Sequence, residues 1–297
     1  MGSTQFGNFE KFCHDGTLPI CNLFSPTHNQ TGDWGGCQLT GIPLSGGRYL
    51  GNLGSILLSA VGMAAAVYLF YRSERKRAAV GRREMQVFLV GYLLISLCEI
   101  FSIGEFPLNE SVRIVFSALH IGFITATLWA LMVNALVGYQ LVDDGTVLSM
   151  GALILSSVIL LVGTTYIALD TGFQWTGYWD DSYPPPNRQI ALYVLYQLLP
   201  LIFLVAFFAL ETILVLRVLG ETRPMLYLLG AAVLFALGQI FTYVVSTPIC
   251  EGTAGKIDGS MFQTLFNLLA VVTVWIFWSS ITEDDWPMPV AGGVNYP

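Results

Sequence analysis

A few polar side chains fall inside long apolar segments, where a carboxylate or an imidazole could transfer protons or bind an ion. Such residues are functional candidates because burying them in hydrocarbon is unfavourable. Glu99 and His120 lie in neighbouring segments and could pair, and we favour a hydrogen bond that holds two helices together over proton transfer. Glu211 precedes Arg217 closely, which favours contact with a neighbouring helix or the membrane surface over ion binding. The polar residues of these segments are Glu99, His120, Asn134, Glu211, Gln239 and Asn267.

The sequence lacks the residues that three kinds of seven-helix membrane protein require. A retinal protein needs a lysine within a late segment, but the lysines are Lys11, Lys76 and Lys256. An intramembrane zinc hydrolase needs several histidine ligands, and only His120 lies in an apolar segment. The third segment ends in NALVGYQLVDDG and the seventh reads FNLLAVVTVWIF, so the usual motifs of G-protein-coupled receptors are missing. We therefore predict no catalytic residue, no cofactor and no metal.

The composition identifies the elements that must position these residues. Hydrophobic residues make up 54% of the chain and charged residues only 11%, against about 25% charged residues in soluble domains. Seven apolar segments are long enough to cross a membrane as helices. The sequence therefore predicts an all-α membrane protein with a bundle of seven transmembrane helices. The segments cover residues 49–71, 86–104, 112–137, 147–169, 189–216, 225–247 and 260–280.

The basic stretch RSERKRAAVGRRE, residues 72–84, indicates the orientation of the bundle. It holds six of the thirteen Lys and Arg residues of a chain whose formal net charge is −7. Basic loops stay in the cytosol, so this stretch predicts a lumenal N-terminus and a cytosolic C-terminus. An acidic chain does not favour nucleic-acid binding, whereas contact with the headgroups of membrane lipids is a second role for the stretch. The six basic residues are Arg72, Arg75, Lys76, Arg77, Arg82 and Arg83.

Four of the five cysteines fall on the predicted lumenal side. Cys13, Cys21 and Cys37 precede the first segment, and Cys250 lies between the sixth and seventh. Four cysteines allow three pairings, and in each of them Cys250 bonds a cysteine of the N-terminal segment. Cys98 lies within the second segment and is expected to be a buried thiol.

These signals divide the chain into three regions. Residues 1–48 form a lumenal, cysteine-containing segment, residues 49–280 the seven-helix domain, and residues 281–297 an acidic, flexible cytosolic tail. Asn29 begins the sequon Asn29-Gln30-Thr31 and is a glycosylation candidate in the N-terminal segment.

Two stretches outside the apolar segments are candidates for partner binding. Aromatic residues between the fourth and fifth segments could anchor the chain at the membrane interface or bind a protein partner, and both interpretations stay open. The acidic and aromatic tail favours a short sorting or docking signal over a merely solvated end. The candidates are Trp175, Tyr178, Trp179, Glu283, Asp284, Asp285 and Trp286.

Three blocks of the sequence carry a family resemblance. The opening FGNFEKFCHDGTLPICNLF, the stretch SLCEIFSIGEFP, and TPICEGTAGKIDGSMFQTLF followed by VWIFWSSITEDDWPMP resemble the fungal chitin synthase export chaperones. The resemblance extends from about Phe6 to Pro289. It implies a multi-pass protein of the endoplasmic reticulum membrane without catalytic activity. Such a protein binds a chitin synthase, aids its folding and its exit from the reticulum, and supports cell-wall chitin synthesis; some members accompany the synthase toward the plasma membrane.

Membrane physics suggests how such a chaperone would act. An unassembled synthase exposes poorly packed helix faces, which a bundle could cover through van der Waals packing and interhelical hydrogen bonds. Small residues of the first segment would allow close approach to the client, or they pack within the chain's own bundle. Vesicle-coat machinery could recognise the tail. The alternatives are a permanent subunit that tunes the synthase, and a seven-span receptor or transporter. The small residues are Gly51, Gly54, Ser55, Ser59 and Gly62.

Overall fold

The predicted helical bundle is present in the structure. A computed structural model describes residues 6–24, 37, 39–44, 48–76, 79–104, 106, 109–140, 145–179 and 188–282. Within these residues, seven helices are long and apolar enough to cross a membrane, which confirms the predicted fold class. We call them spans one to seven. They are Leu53–Arg75, Arg82–Ser102, Glu110–Val137, Val147–Phe173, Ile190–Leu219, Arg223–Tyr243 and Gly259–Ile281.

Shorter elements lie before and between the spans. The N-terminal segment contains the helices Glu10–Asp15 and Cys21–Phe24. An antiparallel hairpin follows, in which strand β1 (Ile42–Leu44) pairs with strand β2 (Arg48–Leu50). The short helix Ser246–Gly252 lies between spans six and seven. The hairpin was not predicted, and it occupies the place where the apolar pattern put the start of the first span.

A capping residue shifts the first span relative to its apolar pattern. The side chain of Asn52 accepts a hydrogen bond from the backbone N–H of Ser55, so the helix begins at Leu53 rather than at residue 49. The helix continues to Arg75, because arginine is a good helix former and backbone hydrogen bonding does not stop where hydrophobicity does. Four of the basic residues predicted to form a loop, Arg72, Arg75, Arg82 and Arg83, therefore belong to the ends of spans one and two.

Span five departs from regular α-helical geometry twice. It contains π-helical turns at Tyr193–Leu198 and Leu214–Leu219. The hydroxyl of Thr125 in span three donates a 2.9 Å hydrogen bond to the carbonyl of Leu195, inside the first π-helical turn. Pro200 follows this turn, and its lack of an N–H removes one helical hydrogen bond. The contact from span three and the proline together account for the irregular turn.

The buried residues form two main clusters at opposite ends of the bundle. One cluster lies near Arg72 and Arg82, at what we call the basic end, and includes Phe88, Phe207 and Trp278. The other packs the N-terminal segment onto spans three, four and five, at what we call the disulfide end. Its members include Phe9, Cys13, Leu18, Ile114, Ala168 and Leu192.

The small residues of span one face the interior of the chain's own bundle. Ser55 and Ser59 are buried, and a side chain at Gly62 would meet Tyr92 and Ser96 of span two. Close packing with span two therefore uses the surface that could otherwise have approached a client.

Candidate functional site

Two disulfide bonds fix the N-terminal segment at the disulfide end. Cys13 bonds Cys21 within the segment, and Cys37 bonds Cys250, which is 213 residues further along the chain. The prediction that Cys250 pairs with an N-terminal cysteine is confirmed. Cys98 is a buried free thiol, as expected.

Asp258 joins the N-terminal segment to two spans. Its carboxylate is 3% exposed and accepts hydrogen bonds from Thr17 at 2.6 Å, Asn52 at 2.8 Å and Ser260 at 2.6 Å. Asp258 was not among the residues predicted from the sequence. The available signal was its position directly before an apolar segment, since aspartate is a preferred helix N-cap, and Asp258 does cap span seven by accepting from the Ser260 backbone.

The first described residues are tied to the start of span five. The carbonyl of Gly7 accepts a 2.8 Å hydrogen bond from the backbone N–H of Gln189. The rings of Phe6 and Phe9 pack against Tyr193, with centroid distances of 4.8 and 5.7 Å. The N-terminal segment therefore packs as a cover on the bundle instead of extending away from it.

Three aromatic residues lie in the turn after span four, which we call the aromatic surface: Trp175, Tyr178 and Trp179. Trp175 is 59% exposed and Tyr178 is 79% exposed, whereas Trp179 is half-buried. Trp175 stacks on Phe173 with a centroid distance of 5.3 Å. Tyr178 meets the edge of Trp179 at 5.1 Å. The structure thus brings two of the predicted partner-binding candidates, Tyr178 and Trp179, into contact, and Trp175 belongs to the same turn.

Hydrogen bonds hold the backbone beneath the aromatic surface. The carboxylate of Asp170 accepts from the backbone N–H and the hydroxyl of Thr176, both at 2.8 Å. The side-chain amide of Gln189 donates to the carbonyl of Trp179. These hydrogen bonds hold the backbone of the turn at both sides.

The described basic residues from which the orientation was predicted lie together at the basic end. The side chain of Lys76 donates to the carbonyl of Ser279 in span seven at 3.1 Å. Arg83 lies 3.2 Å from the carboxylate of Glu74, and Arg82 lies 3.9 Å from it. Arg72 and Arg75 belong to the last turn of span one.

Glu99 and His120 bind different neighbours. The hydroxyl of Thr264 in span seven donates to the carboxylate of Glu99 in span two. Nδ1 of His120 in span three lies 3.1 Å from the hydroxyl oxygen of Ser102 in span two. Each hydrogen bond joins two spans, and the suggested pair of Glu99 with His120 is not formed, because each side chain binds a nearer hydroxyl. Thr264 could not be predicted as the partner of Glu99, because threonine is common in apolar helices and its presence there does not indicate a particular role.

Glu211 is buried in span five. Its Oε2 atom has no hydrogen-bond partner among the described residues. Several other predicted residues lie outside the part of the chain that the structure describes: Asn29, Arg77, Glu283, Asp284, Asp285 and Trp286.

Seven apolar spans covered at one end by a disulfide-bonded segment define a multi-pass membrane protein, and the interhelical hydrogen bonds of Glu99 and His120 hold its helices together. The chain belongs to the chitin synthase export chaperone family, whose model, described as "Chitin synthase export chaperone", matches residues 5–292.

Curated relatives with that same description match almost the full length. The relatives from Aspergillus fumigatus and Coccidioides immitis are each 31% identical over 285 residues, which are 94% and 95% of this chain and 84% of each relative. The relative from Chaetomium globosum is 31% identical over 297 residues, or 98% of this chain and 86% of the relative. No solved structure matches the chain significantly.

Proposed function

We propose that this chain is a client-specific membrane chaperone that binds a chitin synthase, aids its folding and promotes its exit from the endoplasmic reticulum. The proposal rests on family membership over residues 5–292, which include the bundle and its disulfide-bonded cover. The chain acts by binding, without catalysis of its own, and supports cell-wall chitin synthesis through its client.

We also propose a lumenal N-terminus and a cytosolic C-terminus in the reticulum membrane. Two independent signals support this orientation. Disulfide bonds form in oxidising compartments, and both lie at one end of the bundle. Arginines and lysines are retained in the cytosol, and they cluster at the other end, where they can also contact anionic lipid headgroups. Residues 1–48, 49–280 and 281–297 then form the lumenal segment, the membrane domain and the cytosolic tail.

Span four is the most available surface for the client's helices. Only 11% of its most apolar stretch is buried, and Leu155, Ile159 and Val162 point outward. The aromatic surface continues directly from its end. A client helix packed along span four would gain van der Waals contact, while Trp175 and Tyr178 would contact the client outside the hydrocarbon. Ser55, Ser59 and Gly62 of span one are buried in the chain's own bundle, so they do not support a client-binding role for that span.

The tail after residue 282 is proposed as the export signal that vesicle-coat proteins recognise. Its acidic and aromatic residues are typical of a short linear motif. Whether the chaperone leaves with the synthase toward the plasma membrane depends on how long the complex lasts.

Localisation of a fluorescent chitin synthase tests this function. Fungal cells with and without the chain are compared, and an unrelated multi-pass cargo serves as the control. We expect the synthase to stay in the reticulum when the chain is missing, while the control cargo travels normally. Normal synthase traffic with altered chitin output would contradict the export role and indicate a permanent subunit that tunes the enzyme. Arrest of both cargoes would contradict client specificity.

A further inference from the structure

A cavity of about 400 Å³ lies inside the bundle. Spans two, three, five, six and seven surround it, and Leu18 and Pro19 of the N-terminal segment line its disulfide end. Its volume lies within the range of small-molecule sites, about 300–1,000 Å³. The cavity is partly open to its surroundings, so a ligand can enter it, and it is much larger than the water-sized voids of ordinary protein interiors.

Most polar side chains that line the cavity lie nearer its disulfide end, beside the apolar Leu18 and Pro19, and its basic end is lined mainly by apolar side chains. Each of the five spans contributes a polar side chain nearer the disulfide end and an apolar one nearer the basic end. In four of the spans the two are separated by about 15 Å along the helix, at 1.5 Å per residue. The cavity is therefore amphipathic along the bundle. The polar residues are Glu99, His120, Gln197, Gln239 and Gln263, and the apolar residues are Phe88, Leu131, Phe207, Phe235 and Val274.

The polar end offers both donors and acceptors of hydrogen bonds. The single hydroxyl proton of Ser102 is donated to the carbonyl of Cys98 at 2.9 Å. The hydroxyl oxygen of Ser102 then accepts from Nδ1–H of His120, which leaves Nε2 of the neutral ring as an acceptor. The amide of Gln197 already donates to the hydroxyl of Tyr243 at 3.1 Å, and the amides of Gln239 and Gln263 add donors at the cavity wall. A headgroup that both donates and accepts, such as a hydroxyl or an amide, matches this set.

The charges of the lining residues exclude an anionic headgroup. Among the described residues that line the cavity there is no lysine or arginine, and Glu99 supplies a carboxylate. A phosphate would find no cation with which to pair, and burying an unpaired charge is costly. An uncharged headgroup avoids that penalty.

One local irregularity coincides with the polar end. The π-helical turn Tyr193–Leu198 includes Gln197, and π-helical turns occur frequently at functional sites. The contact from Thr125 and the proline at position 200 produce this turn, and Gln197 within it lines the cavity.

We propose that this cavity binds a membrane lipid with an uncharged hydroxyl or amide headgroup, which lies at the disulfide end while the hydrocarbon fills the apolar end. Sterols, diacylglycerols and ceramides share this chemistry. The site lies inside the bundle, away from span four and the aromatic surface, so the proposal does not depend on the proposed client function.

Photolabelling of the full-length protein tests the site. The purified protein in detergent micelles is labelled with a photoreactive sterol or, in parallel, a photoreactive diacylglycerol, and labelled peptides are identified by mass spectrometry. We expect saturable labelling of peptides that line the cavity. Unlabelled sterol, diacylglycerol and ceramide are compared as competitors to identify the lipid class. Phosphatidylserine should fail to compete, and efficient competition by it would overturn the headgroup assignment.

A matched pair of variants locates the label. Ala231 is buried and lines the cavity, whereas Ala236 lies on the exposed face of the same span. Ala231→Phe should abolish most of the saturable labelling, and Ala236→Phe should leave it unchanged. Equal labelling of Ala231→Phe and the unsubstituted protein, or labelling confined to outward faces, would overturn the proposal.

If Ala231→Phe does not fold, a less disruptive variant can test the site. Gln239→Leu keeps the size of the side chain but removes one hydrogen-bonding group at the polar end. Because a net hydrogen bond corresponds to about a fivefold change in affinity, half-maximal labelling should need about five times more lipid. An unchanged labelling curve would contradict headgroup binding at this end.

Discussion

The hydroxyl of Thr17 lies 2.6 Å from the carboxylate of Asp258, although the two residues are 241 positions apart in the chain. Asp258 also caps span seven and binds Asn52 at the start of span one. One buried carboxylate therefore aligns the N-terminal segment with the first and last spans. Its hydrogen bonds complement the Cys37–Cys250 disulfide, which joins the same segment to the short helix Ser246–Gly252 before span seven.

Replacing this carboxylate should destabilise the disulfide end. In Asp258→Ala, the buried donors of Thr17, Asn52 and Ser260 lose their acceptor, and the free energy of unfolding should fall by about 3 kcal/mol. Thermal unfolding of the purified protein in detergent measures the change. Asp15→Ala is the control, because Asp15 is partly exposed and its removal should change stability by less than about 0.5 kcal/mol. Equal losses in the two variants would contradict the role of Asp258.

The two disulfides should contribute unequally to stability. Cys13→Ser opens a link across 8 residues, whereas Cys250→Ser opens one across 213 residues. Because a cross-link over a longer loop restricts the unfolded chain more, Cys250→Ser should cost more, on the order of 4 kcal/mol. Both variants are compared by thermal unfolding without reductant.

Maleimide labelling checks the pairing itself. In a Cys98→Ser background, Cys250→Ser should release one thiol, on Cys37, and Cys13→Ser should release one on Cys21. The absence of new labelling in Cys250→Ser, under denaturing conditions, would mean that Cys250 had no disulfide partner.

A glycine at the start of span seven allows two backbone segments to meet. A Cβ at Gly259 would overlap the carbonyl oxygen of Phe241 and lie 2.8 Å from Cβ of Ser246. Since backbone cannot yield as a side chain can, Gly259→Ala should cost about 3 kcal/mol. Nothing lies within 4 Å of the Cβ position at Gly163 in span four, so Gly163→Ala should be neutral or stabilise by up to about 1 kcal/mol. Thermal unfolding that ranks the two variants in the opposite order would contradict this account.

The aromatic surface should affect client binding more than folding. In Trp175→Ala and Tyr178→Ala, co-purification of the synthase should fall about tenfold, because exposed aromatic anchors dominate many interfaces. Tyr68→Ala is the control, since Tyr68 is also exposed but lies near the basic end. Unchanged co-purification together with easier extraction from the membrane would show that these rings anchor the chain in lipid instead.

Protease treatment of intact microsomes tests the orientation. A protease outside the vesicles should cut between residues 72 and 84 or in the C-terminal tail, and it should spare the N-terminal segment. Detergent-opened vesicles provide the control in which the N-terminal segment becomes accessible. Cleavage of the N-terminal segment in sealed vesicles would reverse the proposed topology.

Hydrophobicity located the spans well because lipid leaves a chain segment few alternatives to a helix. The start of span four at residue 147 and the end of span three at residue 137 agree with the apolar pattern. The observed span ends differ from the predicted ones at two places. The capping residue Asn52 makes span one begin later than its apolar pattern, and the turn after Tyr243 ends span six before residue 247.

Contacts between distant parts of the chain could not be predicted in this way. The sequence restricted four cysteines to three pairings, and only their proximity in three dimensions selects Cys13 with Cys21. The π-helical turn in span five depends on the hydroxyl of Thr125 in another helix. The partner of Glu99 likewise belongs to a span 165 residues away. Local patterns carry no information about such neighbours.

The link between Cys37 and Cys250 also has a consequence for biosynthesis. A ribosome that adds about 5–20 residues per second needs roughly 10–40 s to make the 213 residues between them. During that interval the N-terminal segment must wait as six spans enter the membrane. Closure of the cover, with Leu18 and Pro19 over the internal cavity, is thus delayed until most of the bundle has been made, and the finished disulfide marks a chain whose first six spans have been synthesised.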